Sequence, residues 1–359
     1  MTATPSALNA LLLYCRPGFE KECAAEIQEH ARQHAVEGFS KAKPDSGYVL
    51  FTPYETTALS GLMQALRFDR LCFARQMVFV APLISSLPVT DRVTPLLDAA
   101  RRLARSYSTL FLETADTNEA KELSTFVRQF NAPLTRAVLA ARLIDASNAK
   151  APRLHLFFIT STTVYVGISW PNNSAPWPMG IPRLKFPRSA PSRSTLKLEE
   201  AFLTLLDRPE QQLQPGMRAV DLGAAPGGWT WQLVKRSIRV IAVDNGPMDA
   251  ALMESGIVEH LRVDGFRYQP PIPVDWLVCD MVEQPSRIAN LVAGWFTRGH
   301  CRQAIFNLKL PMKKRFEEMK LCRELITSQL NQADIHFCLR FKQLYHDREE
   351  VTAYLARLA

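Results

Sequence analysis

The sequence predicts an α/β protein in two parts. A C-terminal domain is built on a doubly wound, Rossmann-like sheet, and an α+β region precedes it. Three observations carry this. Short apolar runs of strand length alternate with helical patterns from residue 218 onward, as in βαβ units. Residues 171–193 hold six of the 24 prolines, with Trp170 and Trp177 interleaved, and read as a linker. The chain of 359 residues suits two domains of about 100–200 residues each. The expected layout is therefore 1–170, a linker at 171–193, and 194–359.

Each element follows from local pattern. Residues 11–14 form an apolar run closed by Pro17-Gly18, which predicts a strand and a turn. Residues 20–32 have helical character, and 56–66 predict a helix between strands at 48–52 and 73–80. Residues 110–114 predict another strand. Residues 122–146 carry apolar residues at helical spacing, interrupted at Asn131-Ala132-Pro133. Residues 154–159 and 163–168 predict a hairpin. Beyond the linker, strands are expected at 218–221, 239–243, 276–280 and 304–308. Helices are expected at 230–235, 287–296 and 313–330.

Composition excludes several classes. With 47% hydrophobic and 22% charged residues, the chain is neither disordered, collagenous nor a coiled coil as a whole. No apolar stretch approaches the roughly 18 residues of a membrane span. The early apolar run at 10–15 is too short for a signal-peptide core and lacks a basic residue ahead of it. The seven cysteines include no C-x-x-C pair, so neither a zinc site nor a disulfide framework is expected. This usage fits a reduced, cytoplasmic protein.

The net charge of +8 is unevenly spread. Residues 171–193 carry Arg183, Lys185, Arg188 and Arg193 and no acidic residue. A concentrated basic strip is the footprint of a polyanion-binding surface, though a solvated basic linker reads the same way. Lys313, Lys314 and Arg315 form a second candidate for phosphate contact, balanced by Glu317 and Glu318.

Asp221-Leu-Gly223-Ala-Ala225-Pro226-Gly227-Gly228 follows one expected strand and precedes a helix. Glycines there let the backbone turn tightly and approach a ligand. The spacing is not the dinucleotide fingerprint, and no Lys-Ser/Thr follows to make a Walker loop. Asp244 ends the next strand, 23 residues after Asp221, where nucleoside-binding sheets accept ribose hydroxyls. Asp264 sits where a third strand would end and is placed to hold an adenine amino group. The pattern D-x-G-x-x-P-G-G resembles motif I of the class I S-adenosylmethionine methyltransferases.

Four further segments place charged groups beside apolar elements: Ser192-Arg-Ser194-Thr-Leu-Lys197, Leu277-Val-Cys-Asp280, Phe306-Asn-Leu-Lys309 and Tyr345-His-Asp-Arg-Glu349-Glu350. A ribose hydroxyl is a poor nucleophile until its proton leaves, and a Lys of lowered pKa can take it. Lys309 is the candidate base, Lys197 a second cation, and Asp280 and Glu350 the groups that orient them. Glu349 and His346 compete for the role of Glu350. Cys279 beside Asp280 lacks the Pro-Cys context of a covalent cytosine mechanism, and Asp280-Met-Val-Glu lacks the Asp/Asn-Pro-Pro-aromatic text of amine methylation.

In order and context, Lys197, Asp280, Lys309 and Glu350 resemble the K-D-K-E tetrad of the RrmJ/fibrillarin-like RNA 2′-O-ribose methyltransferases. The fuller wording, SRSTLKLEEAF, VDLGAAPGGW, VCDM, IFNLKLPMKKR and QLYHDREEV, resembles the RlmM subgroup. The resemblance is sharp over residues 190–359 and rests on order and length before that. It implies methylation of a cytidine ribose in 23S ribosomal RNA, S-adenosylmethionine as cofactor, no metal, a THUMP-type RNA-binding N-terminal domain and a monomer. It also implies a cofactor site drawing on Ser194, Asp221, Gly223, Ala225, Pro226, Gly227, Gly228, Asp244, Asp264 and Asp280. Relatives with Cys at position 225 differ from the Ala found here. Competing readings are an inert RNA-binding protein of the same fold and a methyltransferase for a non-RNA substrate. The intact tetrad and the basic strip weigh against each in turn.

Overall fold

The computed structural model describes residues 7–358. It divides into two compact units, Met1–Pro182 and Arg183–Ala359.

The first unit runs β1 (Ala10–Cys15), α1 (Glu20–Gln33), β2 (Gly38–Lys41), β3 (Tyr48–Pro53), α2 (Ala58–Ala65), β4 (Ala74–Val80), α3 (Val93–Leu103), β5 (Thr109–Thr114), α4 (Lys121–Ala140), β6 (Arg153–Thr160) and β7 (Thr163–Ser169). Its sheet has the order β2-β3-β1-β4-β7-β6-β5. Neighbours are antiparallel except β5 and β6. β1 lies mid-sheet and is buried on both faces, which is why its sequence is a continuous apolar run rather than an alternating one.

The interruption expected at Asn131-Ala132-Pro133 does not occur, because α4 passes through Pro133. Pro133 and Gln129 are both exposed, so the carbonyl that loses its intrahelical donor faces water. Val127, Leu134 and Val138 keep one face of the helix buried across the proline.

The Pro-rich stretch divides at the unit boundary. Its first half is folded onto the first unit through side chains rather than ladders. Gln76 exchanges hydrogen bonds with the backbone of Ala175 at 3.0 and 3.1 Å. Asn173 accepts from Phe68 N at 2.7 Å and donates to Leu66 O at 2.8 Å. Prolines cannot donate to a sheet, so side chains satisfy the backbone between them. The four basic residues all fall in the second unit.

The second unit contains α5 (Thr195–Leu205), α6 (Pro209–Gln212), β8 (Arg218–Leu222), α7 (Gly228–Val234), β9 (Arg239–Val243), α8 (Ala250–Glu254), β10 (Val258–Leu261), β11 (Val274–Cys279), α9 (Pro285–Thr297), β12 (Cys301–Lys309), α10 (Arg315–Gln332), β13 (Phe337–Lys342) and β14 (Glu350–Arg357). The sheet order is β10-β9-β8-β11-β12-β14-β13. The first five of these strands are parallel. β14 enters antiparallel between β12 and β13. The order reverses between β8 and β11, so a crevice opens at their carboxyl ends, where doubly wound sheets bind ligands. Beneath it, Phe202, Trp229, Trp276, Ile305 and Tyr354 belong to one buried cluster. Burying each such side chain contributes about 1.5–3 kcal/mol, which makes the strand ends a rigid platform.

Among the described residues, no helix is long and apolar enough to cross a membrane.

Candidate active site

Four elements of the second unit deliver one charged side chain each. Lys197 lies in the first turn of α5, whose Leu196, Leu198, Ala201 and Phe202 are buried. Asp280 follows β11, with its N–H donating to Leu222 O at 3.2 Å. Lys309 closes β12 and Glu350 opens β14, and the two are register partners in the antiparallel ladder.

These side chains close a ring of alternating charge. Lys309 Nζ lies 2.9 Å from Asp280 Oδ1, and Lys197 Nζ lies 3.5 Å from Asp280 Oδ2. Both lysines also pair closely with Glu350, Lys309 through Oε2 and Lys197 through Oε1. Two cations and two anions cancel, so the ring carries no net charge to desolvate. Lys309 is the most open member at 26% side-chain exposure, against 5% for Glu350.

Two opposing effects act on Lys309. Burial lowers the Lys309 pKa, but the charges and hydrogen bonds of Asp280 and Glu350 outweigh it and hold Lys309 above the ordinary lysine value. In this state Lys309 is an ammonium ion, not a lysine poised to accept a proton.

Neither competitor for Glu350 joins the ring. Glu349 is exposed and pairs with Arg315 at 2.5 Å. His346 Nδ1 lies 2.6 Å from Glu200, which also accepts from the backbone N–H groups of Tyr345 and His346. Glu200, one turn beyond Lys197 on α5, thereby fixes the loop that leads into β14. Cys279 is buried, and burial pushes its thiol up to about 12, which removes it as a thiolate nucleophile.

Sequence reasoning missed a second layer. Asn307 Nδ2 donates to Asp280 Oδ1 at 2.8 Å, and Thr352 Oγ1 donates to Asn307 Oδ1 at 2.7 Å. Thr352 Oγ1 also lies 3.1 Å from Asp347 Oδ2. Asn307 and Thr352 are register partners, two residues from Lys309 and Glu350. The available signal was period two: each polar residue shares a strand face with the charged one.

The glycine-rich loop runs from β8 into α7. Gly223 N–H donates to Val243 O at 3.0 Å, and Ala225 N–H donates to Asp244 Oδ2 at 3.0 Å. Ala225–Pro226 is a cis peptide. Gly227 caps α7 at φ +116°, a conformation that disfavours a side chain, and a Cβ there would run into Leu252. A Cβ on Gly228 would lie 2.6 Å from Ser192 Oγ, so glycine is what admits the Ser192–Ser194 turn. Those two hydroxyls are hydrogen-bonded at 2.6 Å. Asp244 Oδ1 accepts from Gly246 N–H at 2.7 Å, which holds the carboxylate at the end of β9.

Asp221 is fully buried below this loop. Its Oδ2 accepts from Thr230 Oγ1 at 2.6 Å, whereas Oδ1 has no partner among the described residues. Burial raises its pKa to about 7, with a further push from Asp280. An orphaned buried acceptor beside a glycine-lined turn fits a cofactor that brings a cationic amine, as S-adenosylmethionine does. Asp264 precedes Gly265, which packs against Met281 and Leu222 beside the glycine-rich loop. Asp264 itself lies three residues beyond β10, is exposed, and pairs with Arg267 at 3.5 Å.

Arg183, Lys185, Arg188, Arg193, Lys313 and Lys314 are exposed. Arg193 lies over the Phe186 ring at 5.7 Å. Arg315 differs from them, because Glu349 already engages it. Among the described residues, no group of three or more His, Cys, Asp or Glu could hold a metal ion.

The chain matches the family model of the RlmM ferredoxin-like domain over residues 8–78. It matches that of the N-terminal region of ribosomal RNA large subunit methyltransferase M over 91–170. It matches that of the FtsJ-like methyltransferases over 190–351. Relatives named ribosomal RNA large subunit methyltransferase M are similar over nearly the whole chain. The Methylococcus capsulatus protein is 61% identical over 347 residues, covering 97% of this chain and 98% of its own. The Cellvibrio japonicus protein is 54% identical, covering 97% and 99%. The Thauera aminoaromatica protein is 50% identical, covering 98% of each. With that identity spread across both units and the charged ring, the chain belongs to the ribosomal RNA large subunit methyltransferase M family.

Proposed function

We propose that this chain transfers a methyl group from S-adenosylmethionine to the 2′-hydroxyl of a cytidine ribose in 23S ribosomal RNA. The observation that carries the reading is the ring of Lys197, Asp280, Lys309 and Glu350 at the carboxyl ends of β11 and β12.

In this reading the cofactor lies along Ser194, Gly223, Ala225, Pro226, Gly227 and Gly228, with Asp221, Asp244 and Asp280 as its acceptors and Asp264 at its adenine amino group. When bound, S-adenosylmethionine supplies the methyl group and a neutral thioether leaving group. The protein supplies position. An ammonium has three N–H donors, and Asp280 and Glu350 take two from Lys309. The third holds the ribose oxygen so that a lone pair faces the methyl carbon. A tetrad carboxylate accepts the hydroxyl proton as the new O–C bond forms. Holding the reacting atoms in line supplies most of the acceleration. Lys197 holds Asp280 and Glu350 in place.

The first unit is read as a THUMP-type RNA-binding domain acting by charge and shape. Arg183, Lys185, Arg188, Arg193, Lys313 and Lys314 contact phosphates. The enzyme works as a cytoplasmic monomer.

Labelled S-adenosylmethionine and unmodified 23S rRNA test this, comparing wild type with Lys309→Ala and digesting the RNA to nucleosides. The expected product is 2′-O-methylcytidine, lost in the variant. Label on a base would sink the ribose mechanism. No label despite cofactor binding would favour an inert RNA-binding protein or another substrate.

A further inference from the structure

We propose that Asn307, oriented by Thr352, is a positioning residue that sets the Asp280 carboxylate for methyl transfer. The inference rests on the methyltransferase reading above and goes beyond the four ring residues.

The hydrogen bonds have only one consistent direction. Asp280 paired with two lysines is an acceptor only, so Asn307 must turn its Nδ2 toward it. That leaves Asn307 Oδ1 facing Thr352, whose hydroxyl must then donate its single proton at 2.7 Å. The lone pairs of Thr352 face the Asp347 carboxyl at 3.1–3.3 Å. Asp347 is itself anchored by Leu344 N–H at 2.9 Å. Donors thus run from Thr352 through Asn307 to Asp280.

Asn307 and Thr352 are each 0% exposed, so no solvent can replace either group. Lys309 and Asn307 both hold Asp280 Oδ1, while Lys197 draws on Oδ2 from farther away. Asn307 is the only one of the three that is uncharged and fixed within a central strand. It therefore decides which way the carboxylate faces when a substrate competes for Lys309. A misplacement of about 1 Å at such a site costs on the order of 100-fold in rate.

Thr352→Val keeps the side-chain shape and removes the hydroxyl, whereas Thr352→Ser keeps the hydroxyl. We expect kcat to fall about 10- to 100-fold in Thr352→Val. Thr352→Ser restores it. Crystal structures of both variants give a readout apart from turnover: the Asn307 amide withdraws from Asp280 in the valine variant and stays in the serine variant. Wild-type kcat in Thr352→Val, or a serine variant as impaired as the valine one, overturns the proposal. Should Thr352→Val not fold, Asn307→Asp decides, because it keeps volume and loses the donor. Its rate relative to wild type should recover as pH falls and a proton shared with Asp280 restores a donor. Lys197, Lys309, Glu350 and Asp347 are the other charged or titratable groups around that pair. Absence of recovery overturns the proposal. If wild type itself transfers no methyl group, the function above fails instead. The variant crystal structures then decide alone, and an unmoved Asn307–Asp280 pair in Thr352→Val overturns the positioning role.

Discussion

Lys309 and Glu350 face each other as register partners across the β12–β14 ladder, so one rung of a β-sheet builds half of the charged ring. The pair is set by backbone pairing, not by flexible loops. That geometry holds Lys309 above its ordinary pKa, because two carboxylates outweigh the effect of burial.

The first prediction concerns what Lys309 does with its proton. Lys309→Ala should lower methyl transfer by about 10²–10³-fold, the range for removing one preorganised hydrogen-bond donor from a reacting oxygen. An orienting ammonium is partly replaced by a guanidinium, so Lys309→Arg should retain measurable activity. A base mechanism allows none. The sign of the linkage follows from the raised value. The stability contributed by Lys309 is complete below its unfolded pKa of about 10.4 and is lost only as pH rises through the higher folded value. Stability profiles of wild type and Lys309→Met should therefore run parallel between pH 6 and 9 and converge only at strongly alkaline pH. A gap that closes near pH 8 would contradict the ammonium assignment.

The second prediction follows from Asp221. Its folded pKa is raised to about 7, so the buried carboxylate costs stability once it ionises. The cost is absent below the unfolded value of about 3.9, grows as pH rises toward 7, and is constant above that. Asp221→Asn keeps an acceptor for Thr230 and removes the charge. Without ligand it should be more stable than wild type at pH 8, by an amount on the order of 1–4 kcal/mol, and nearly equal at pH 4. Denaturant midpoints at the two pH values check this. Calorimetric titration should show weaker S-adenosylmethionine binding in the same variant, since Oδ1 no longer offers a full charge. Equal midpoints at pH 8 would mean that Asp221 is not held up by burial.

How legible this site was depended on the element carrying each residue. β8, β9, β11 and β12 each hold a short, mostly buried apolar core, and Asp221, Asp244, Asp280 and Lys309 stand out at or just past their ends. β14 was harder to read. Glu350 opens that strand but follows a polar loop, Tyr345 to Glu349, and nothing local says it will pair with β12. Asn307 and Thr352 were hard to read for a related reason, since period two marks their shared face with Lys309 and Glu350 only once those strands are known to pair. A polar residue inside an apolar strand announces burial only once its partner across the ladder is known. In the first unit, α3 went unread, and α4 ran through a proline because the freed carbonyl faces solvent.

Glu200 supports the third prediction. It is buried and accepts from Tyr345 N–H, His346 N–H and the His346 ring, three donors on the loop before β14. Glu200→Gln turns one acceptor oxygen into a donor that faces a donor. That should destabilise the protein by about 1–3 kcal/mol, the cost of leaving such a buried group unpaired. Because the loop feeds Glu350 into the ring, methyl transfer should fall as well. Cofactor binding at the glycine-rich loop should persist. A variant with wild-type melting temperature and rate would show that the loop is held by other contacts.

The last prediction separates basic residues proposed to meet RNA from one that an ion pair engages. Lys313 and Lys314 are exposed, whereas Arg315 in the next position is held by Glu349 at 2.5 Å. A lysine on a phosphate releases counterions when RNA binds, so losing it flattens the salt dependence of affinity by about one unit of slope. Lys313→Ala and Lys314→Ala, and likewise Arg183→Ala, Lys185→Ala and Arg188→Ala, should each weaken 23S rRNA binding and flatten that slope. Arg315→Ala should leave the slope unchanged and lower stability instead. Filter-binding isotherms across a salt series distinguish the two behaviours. If Arg315→Ala flattens the slope as the lysines do, then its ion pair with Glu349 opens on binding and the basic cluster acts as a unit.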